Sequence, residues 1–208
     1  MSNLSELLPT GGGQNAVDFV ASGTLSSGQT VALKADGTVE AVSGSSTSAA
    51  VGSSVEFKTN DTNNISLAYS SSSQKVILTY RDQSNSSYGT VVIGTVSGTT
   101  ITFGTPSVYN SANSIDGAPV VDENTGKVVV FYRDQGNSER GTAKVGTISG
   151  TSISFGSAVV FNSGGASNYN SPVYDPDTQK VVNFYKDEPN SNYATAIVGT
   201  VSGTSISF

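Results

Sequence analysis

Apolar and polar residues alternate with a period of two along much of this chain. In residues 142–148 and 151–155, threonine or serine alternates with valine or isoleucine, which is typical of strands with one buried and one solvated face. Residues 127–132 are a continuous β-branched and aromatic run, which suits a buried strand. No segment keeps the apolar spacing of an amphipathic helix. The pattern therefore predicts an all-β chain.

A unit of about 52 residues occurs three times. Tyr-Arg-Asp at 80–82 returns as Tyr-Arg-Asp at 132–134 and as Tyr-Lys-Asp at 185–187. The run Gly-Thr-Val/Ile-Ser-Gly begins at Gly94, Gly146 and Gly199. We name the repeats copy 1 (52–103), copy 2 (104–155) and copy 3 (156–208).

Each copy is predicted to contain four strands. In copy 2 these are residues 119–121, 127–132, 142–148 and 151–155, and the last continues through Gly156 into 158–161. Residues 122–126 and 135–140 are predicted to be connecting turns and loops, and Ser149-Gly150 a two-residue hairpin loop. Four antiparallel strands in a unit of this length indicate a β-propeller blade. A β-sandwich and a β-solenoid are the alternatives.

The start of copy 1 matches a half-strand that would follow Phe208. Gly-Ser-Ser-Val-Glu-Phe at 52–57 corresponds to Gly-Ser-Ala-Val-Val-Phe at 156–161. An N-terminal strand that completes the last blade removes the sheet edges of a propeller. Three blades are too few to close a ring, since four is the usual minimum. We therefore expect either a longer repeat chain, which we favour, or a ring shared by several subunits.

Residues 1–50 form a separate region ahead of the repeat array at 51–208. Residues 30–33 and 38–42 are predicted to pair as a hairpin through 34–37, because Asp36-Gly37 is a strong turn signal. Glycines at 11–13 and a Ser/Gly-rich stretch at 43–48 flank this small β module. One interpretation is an attachment module that docks the array to something larger. The alternative is a hairpin that caps the array.

Composition narrows the function. The net charge is −6, which disfavours nucleic-acid and membrane-surface binding, because both depend on lysine and arginine. No apolar run approaches the roughly 20 residues of a membrane helix, and no secretory signal is present. The chain has no cysteine and no histidine, which removes thiol nucleophiles, thiolate metal sites and histidine bases. We predict no cofactor, no metal and synthesis in a cytoplasm.

Two sets of motifs resemble a known class of proteins. Asp-Phe-Val-Ala-Ser-Gly at 18–23, Gly-Gln-Thr-Val-Ala-Leu at 28–33 and Asp-Gly-Thr-Val at 36–39 resemble the N-terminal region of virion structural proteins of tailed bacteriophages. Phe-Tyr-Arg-Asp at 131–134, followed by Val-Gly-Thr-Ile-Ser-Gly at 145–150, is similar to units in predicted tail-fibre and structural proteins of marine phages. The resemblance implies a component of the phage particle, and it supplies no catalytic residues.

Carboxylates are the remaining candidates for catalysis and metal binding. A glycosidase needs only two of them, and Asp82, Asp134 and Asp187 are available. They occupy the same position in every copy, so we interpret them as structural groups that cap a turn or pair with the neighbouring Arg or Lys. The acidic turns that begin at Asp122 and Asp175 offer calcium ligands, but they lack the spacing of a known loop, and Asx turns explain them better. We predict no catalytic and no metal residue.

Binding residues are predicted where the copies differ. Two sets of segments vary most, at 83–88, 135–140 and 188–193, and at 58–66, 110–118 and 162–171. We interpret both sets as loops, which in a propeller emerge on one rim. Tyrosine and arginine are common binding anchors, and asparagine and serine are adaptable hydrogen-bonding groups. The predicted binding residues are Tyr88, Asn137, Arg140, Tyr169 and Tyr193. The alternative is ordinary drift of surface loops.

The sequence therefore predicts a non-enzymatic virion protein. We expect a tail fibre or other appendage that is anchored to other virion proteins by its N-terminal module. The β-repeat domain is expected to bind a host-surface glycan or protein, and the protein is expected to be oligomeric in the extracellular particle. A capsid decoration or knob protein is one alternative, and a glycan-processing propeller enzyme is another.

Overall fold

The computed structural model describes residues 19–42 and 51–208. These residues form fourteen strands and a single-turn 3-10 helix at Gln135–Asn137, and the described part of the chain contains no α-helix. The chain consists of two compact units, with the boundary between Ala50 and Val51. The all-β prediction is confirmed.

The first unit contains the predicted hairpin. Strands β1 (Val31–Leu33) and β2 (Val39–Ala41) pair antiparallel, with Leu33 opposite Val39. Gly37 has a φ of 83°, a conformation that glycine adopts without steric cost. The Asp36 Oδ1 atom accepts hydrogen bonds from the Thr38 backbone N–H at 3.0 Å and from its hydroxyl at 2.6 Å. The predicted glycine lead-in and the linker at 43–48 lie outside the described residues.

The second unit is one antiparallel sheet of twelve strands, in the order β14-β13-β12-β11-β9-β8-β7-β5-β4-β3, with β6 on β5 and β10 on β9. Within residues 51–208 no pairing joins β3 to β14, so this sheet is open. The strands are β3 (Thr62–Ser70), β4 (Lys75–Asp82), β5 (Tyr88–Ser97), β6 (Thr100–Phe103), β7 (Ser107–Asp122), β8 (Lys127–Asp134), β9 (Arg140–Ser149), β10 (Ser152–Phe155), β11 (Val159–Asp175), β12 (Lys180–Asp187), β13 (Tyr193–Ser202) and β14 (Ser205–Ser207).

Two long strands cross from one copy to the next. The first part of β7 pairs with β5, and its second part pairs with β8. Strand β11 pairs with β9 and then with β12 in the same way. Segments 110–118 and 162–171 lie inside these strands, and 58–66 runs into β3, so the prediction that they are loops is wrong. Their Asn and Ser side chains imitate loop composition, but they hydrogen-bond along the strand, as from Asn110 to Ser114 at 2.9 Å.

The hairpin that ends each copy differs by one residue from the prediction. Ser149 pairs with Ser152, so the loop residues are Gly150 and Thr151 rather than Ser149 and Gly150. Gly150 has a φ of 62°, and Thr151 is not among the residues with positive φ. A two-residue loop with glycine in this first position fits a type II′ turn, which matches the twist of the flanking strands.

The core lies between successive copies. Ile77, Val91 and Ile93 of copy 1 pack against Val128, Val130 and Tyr132 of copy 2. The opposite face of copy 2 packs against copy 3 in the same manner, through the residues Val129, Phe131, Ala143 and Val145 against Val181, Val201 and Ile206. Alternate residues of β8 therefore face different neighbours, which explains why this strand is apolar throughout.

Candidate functional site

Three turns of similar backbone geometry each end at a tyrosine or an arginine. Tyr88, Arg140 and Tyr193 are the first residues of β5, β9 and β13. Two consecutive residues in the left-handed region precede each of them, and these pairs are Ser86 and Ser87, Ser138 and Glu139, and Ser191 and Asn192. We name residues 83–88, 135–140 and 188–193 the rim turns. Because the backbone geometry of the turn recurs while its last residue is tyrosine or arginine, these turns can differ in the contacts they make without altering the sheet.

The repeated aspartates hold the rim turns in place. The Asp82 Oδ1 atom accepts hydrogen bonds from the Ser84 backbone at 3.1 Å and from its hydroxyl at 2.7 Å. The Asp134 Oδ1 atom accepts one from the Gly136 backbone at 3.0 Å. The prediction that these aspartates cap turns is confirmed at Asp82 and Asp134. The structure shows no pairing with the adjacent Arg or Lys among the described residues, because neighbours on a strand point to opposite faces.

A second contact joins each aspartate to a residue near the start of the same copy. Lys58 Nζ lies 2.9 Å from Asp82 Oδ2, and Asn110 and Asn162 donate to Asp134 and Asp187 at 2.9 Å. Burial alone raises the pKa of Asp82, but the hydrogen bonds from Ser84 and Lys58 and the charge of Lys58 outweigh it and lower that pKa. Burial, and next the charge of Asp82, raises the pKa of Tyr80 to about 12.

The structure brings only some of the predicted binding residues together. Arg140 Nη1 donates to Asn137 Oδ1 at 3.5 Å, so these two share one rim turn. Tyr88 and Arg140 open strands that have β7 and β8 between them in the sheet. Tyr193 is exposed at the third rim turn, whereas Tyr88 and Arg140 are half-buried. Tyr169 belongs to a different feature.

Tyr169 lies in a bulge that the first long strand of each copy shares. Asn64, Asp116 and Tyr169 occupy one repeat position and all have left-handed φ, at a shift in strand register. Asp116 connects the three copies, because Oδ1 accepts from Asn64 Nδ2 at 3.2 Å and Oδ2 accepts from the Tyr169 N–H at 2.7 Å. This bridge was not predicted from the sequence. Asn and Asp at one repeat position were the available signal, since both tolerate left-handed backbone.

A polar network locks the second rim turn to copy 3. Arg133 forms an ion pair with Glu139 at 2.7 Å and donates to Asn168 Oδ1 at 2.7 Å. Asn168 in turn donates to Glu188, in the third rim turn. The turns of copies 2 and 3 are therefore linked through side chains as well as through the sheet.

An apolar groove of about 550 Å³ lies beside Tyr169 on copy 3. Its lining includes Phe184, Lys186, Ala194 and Ala196. Phe184 was not predicted to be a surface residue, because its repeat equivalent Phe131 has the character of a core residue and is fully buried. Sequence carries no signal for this difference, since exposure here depends on whether another unit packs on the sheet.

The acidic turns need no ion to explain their geometry. The Asp122 Oδ1 atom accepts from the Asn124 backbone at 3.0 Å, and the Asp175 Oδ1 atom accepts from the Asp177 backbone at 3.0 Å. Both are Asx turns, as predicted. In the described ranges, no cluster of three or more acidic, His or Cys side chains is arranged to hold a metal. The same ranges include no helix of the length and apolarity needed to span a membrane.

Comparison of the chain with protein-family models, with curated proteins and with solved structures found no match. The function must therefore be argued from the rim turns, the bulge and the groove themselves.

Proposed function

We propose that this chain is a non-enzymatic structural and binding protein of a tailed-bacteriophage virion. Its N-terminal module attaches to other virion proteins, and its repeat array displays the rim turns to the host surface. The observation that carries the binding role is the similar geometry of the three rim turns, which end at Tyr88, Arg140 or Tyr193. Loops on a rigid scaffold tolerate variation, which allows a binding surface to diversify.

We further propose that the three copies are blades of a propeller-type array. Successive copies pack face to face through apolar cores, which is how blades are arranged. The first long strands of neighbouring copies also contact each other through Asp116, and the turns that follow them contact through Glu123, whose carboxylate accepts from the Ser71 hydroxyl at 2.5 Å. These contacts support a propeller-type array in which the first strand of each copy lies nearest the central axis.

The expected ligand is a glycan or a protein surface rich in hydrogen-bonding groups. Tyrosine offers a rigid apolar ring with a polar tip, and arginine offers several donors. The chain carries a net charge of −6, so a neutral or cationic ligand fits better than a polyanion.

Immunogold electron microscopy with an antibody against residues 52–208 tests the virion assignment. Gold on tail tips or lateral fibres of phage particles is the expected result. Gold on capsids would transfer the protein to the capsid decoration class. Absence of gold from intact, stained particles would refute the virion role.

Cell binding by the labelled full chain tests the rim turns. Arg140→Ala and Tyr88→Ala are expected to weaken binding to host cells by about tenfold or more, the effect of losing an interfacial anchor. Val108→Ala is the control, because Val108 is 43% exposed but lies outside the rim turns. Unchanged binding by both rim variants would refute the assignment of this surface.

A further inference from the structure

The two ends of the repeat array carry complementary open surfaces. On copy 3, the residues Val173, Phe184, Ala196 and Val198 share one face, because Phe184 is opposite Ala196 and Val173 and Val198 are both opposite Val182. We name this the tail face. Phe184 is 52% exposed and Val198 is 53% exposed. The tail face is therefore a large apolar surface at one end of the array.

The same positions are buried in the preceding copies. Phe131 and Val145 of copy 2 are 0% and 1% exposed, and Ile93 of copy 1 is 1% exposed. In both cases the following copy covers them. The chain thus shows twice what kind of surface fits the tail face: the opposite face of another copy.

That opposite face is open on copy 1. We name it the head face, and its members are Tyr69, Val76, Val96 and Ile101. Val96 is 56% exposed, whereas its equivalent Val201 is 9% exposed. Val76 and Ile101 are half-buried, whereas the equivalents Val128 and Ile153 are buried. The head face therefore has the same apolar composition as the surfaces of copies 2 and 3 that cover the tail-face positions of the copy before them.

A strand edge and an unpaired segment match in the same way. The beginning of β5 pairs with Ser107–Asn113 and the beginning of β9 pairs with Val159–Ala166, but among the described residues no strand pairs with the same edge of β13. Residues 52–61, the repeat equivalent of those partner segments, form no strand. One end of the array therefore has a strand edge without a partner, and the other end has an unpaired segment that matches it.

The unpaired segment already holds the position that pairing requires. The Phe57 and Tyr80 rings are 5.4 Å apart, and the equivalent pairs Tyr109–Tyr132 and Phe161–Tyr185 are both 5.2 Å apart. Lys58 contacts Asp82 at the distance at which Asn110 contacts Asp134. Because the segment is ordered against copy 1, adding it to an outside strand costs little conformational entropy.

We propose that a second copy of this chain docks head to tail, so that residues 55–58 of one chain add as a strand to the open edge of β13 in the other. By repeat equivalence Val55 would lie opposite Ala196, and Glu56 opposite Thr195. Strand addition supplies backbone hydrogen bonds, and the head and tail faces supply apolar burial. Two chains provide six copies, which exceeds the four blades of the smallest usual propeller.

The side chain of Ala194 is expected to make the contact between two chains weaker than the contacts between copies within one chain. Gly89 and Gly141 pair with Asn110 and Asn162 in the two equivalent strand pairs, and a Cβ added to them would lie 2.3 Å from the Tyr109 ring and 2.6 Å from the Phe161 ring. Copy 3 has Ala194 there, so the Phe57 ring of the docking chain must shift. Ala194→Gly is therefore expected to strengthen association.

Native mass spectrometry and light scattering of the full chain test the docking. Wild type is expected at twice 21.2 kDa or a higher multiple of it. Val198→Asp is expected to weaken association by about a hundredfold or more, since a carboxylate would be buried without a partner. Val108→Asp, at a position exposed in all three copies, is the matched control and should retain the wild-type mass. Ala194→Gly should lower the dissociation constant by about tenfold.

Cysteine cross-linking establishes which surfaces meet, because the native chain has no cysteine. Val55→Cys and Ala196→Cys variants are mixed and oxidised, and a disulfide between the two variants is expected. Cross-links only between Ala196→Cys chains would overturn the head-to-tail arrangement. A mass of one chain at about 100 μM, with an intact β-sheet circular dichroism spectrum, would overturn the docking altogether. Neither result bears on the rim turns, whose test is cell binding.

Discussion

Phe131 and Phe184 occupy one repeat position but are expected to differ widely in their contribution to stability. Phe131 is fully buried, and its ring contacts Phe161 and Phe208 edge-on, with centroids at 5.5 and 6.0 Å. Phe131→Ala removes that apolar surface and leaves a cavity, which costs about 3–5 kcal/mol. Two aromatic pairs are lost as well, each worth about 0.5–1.5 kcal/mol, so we expect the upper half of that range.

Phe184→Ala is the matched perturbation at the same repeat position. Half of the Phe184 side chain is already in water, and no cavity forms, so we expect a loss of at most about 1 kcal/mol in the isolated chain. The difference between the two variants is thus about 3 kcal/mol. It arises entirely from the copy that packs on Phe131.

Urea unfolding followed by tyrosine fluorescence and circular dichroism measures this difference. With a slope of about 2 kcal/mol per molar urea, Phe131→Ala should lower the midpoint by about 2 M and Phe184→Ala by at most about 0.5 M. The measurement is made at low and high protein concentration, because docking through the tail face would make the Phe184→Ala loss grow with concentration. Equal losses in dilute solution, or a loss below about 1 kcal/mol for Phe131→Ala, would refute the core assignment.

Three further substitutions test the packing and charge of the array, all by urea unfolding. Gly141→Ala should destabilise by about 1–3 kcal/mol, because its methyl would meet the Phe161 ring; a neutral result would mean that the ring can move aside. Tyr132→Phe should leave stability unchanged or raise it by about 1 kcal/mol, because the buried hydroxyl has no hydrogen-bond partner, and a clear loss would contradict this. Asp82, whose pKa is lowered in the folded state, should stabilise the fold above pH about 4 and lose that effect as the pH falls through its folded pKa. Asp82→Asn should therefore lie closest to wild type in acid, and a gap that does not depend on pH would refute the pairing with Lys58.

Strand identity could be predicted where side-chain chemistry is local. The Asp36-Gly37 hairpin and the run that became β8 depend on turn preferences and β-branched composition within a few residues, and both predictions are confirmed. Segment 110–118 was predicted to be a loop because it differs between the copies. It is a strand because β5 and β8 pair with its two halves, and the bulge at Asp116 absorbs the change of partner. Such long-range pairing leaves no local pattern.

Some residues of the candidate site could likewise be predicted from the sequence, and others could not. Tyr88, Arg140 and Tyr193 of the rim turns could be proposed as candidates by comparing the copies, because variation within a constant repeat is visible in the sequence alone. The exposure of Phe184 could not be found, since an identical residue at the same position is core in copy 2. Whether such a phenylalanine contacts water is decided by the neighbouring unit, and a single residue type cannot encode that.

The long strands β7 and β11 also determine how the array responds to force. Each serves two copies, so no flexible joint separates one copy from the next. One copy cannot unravel without stripping half a strand from its neighbour, which couples the repeats more strongly than contacts between separate modules do. Pulled from its ends, the array should rupture in one event at one extension rather than in a sawtooth of three. For a protein proposed to hold a particle to a cell, that makes the repeats a single mechanical link that holds or fails as a whole.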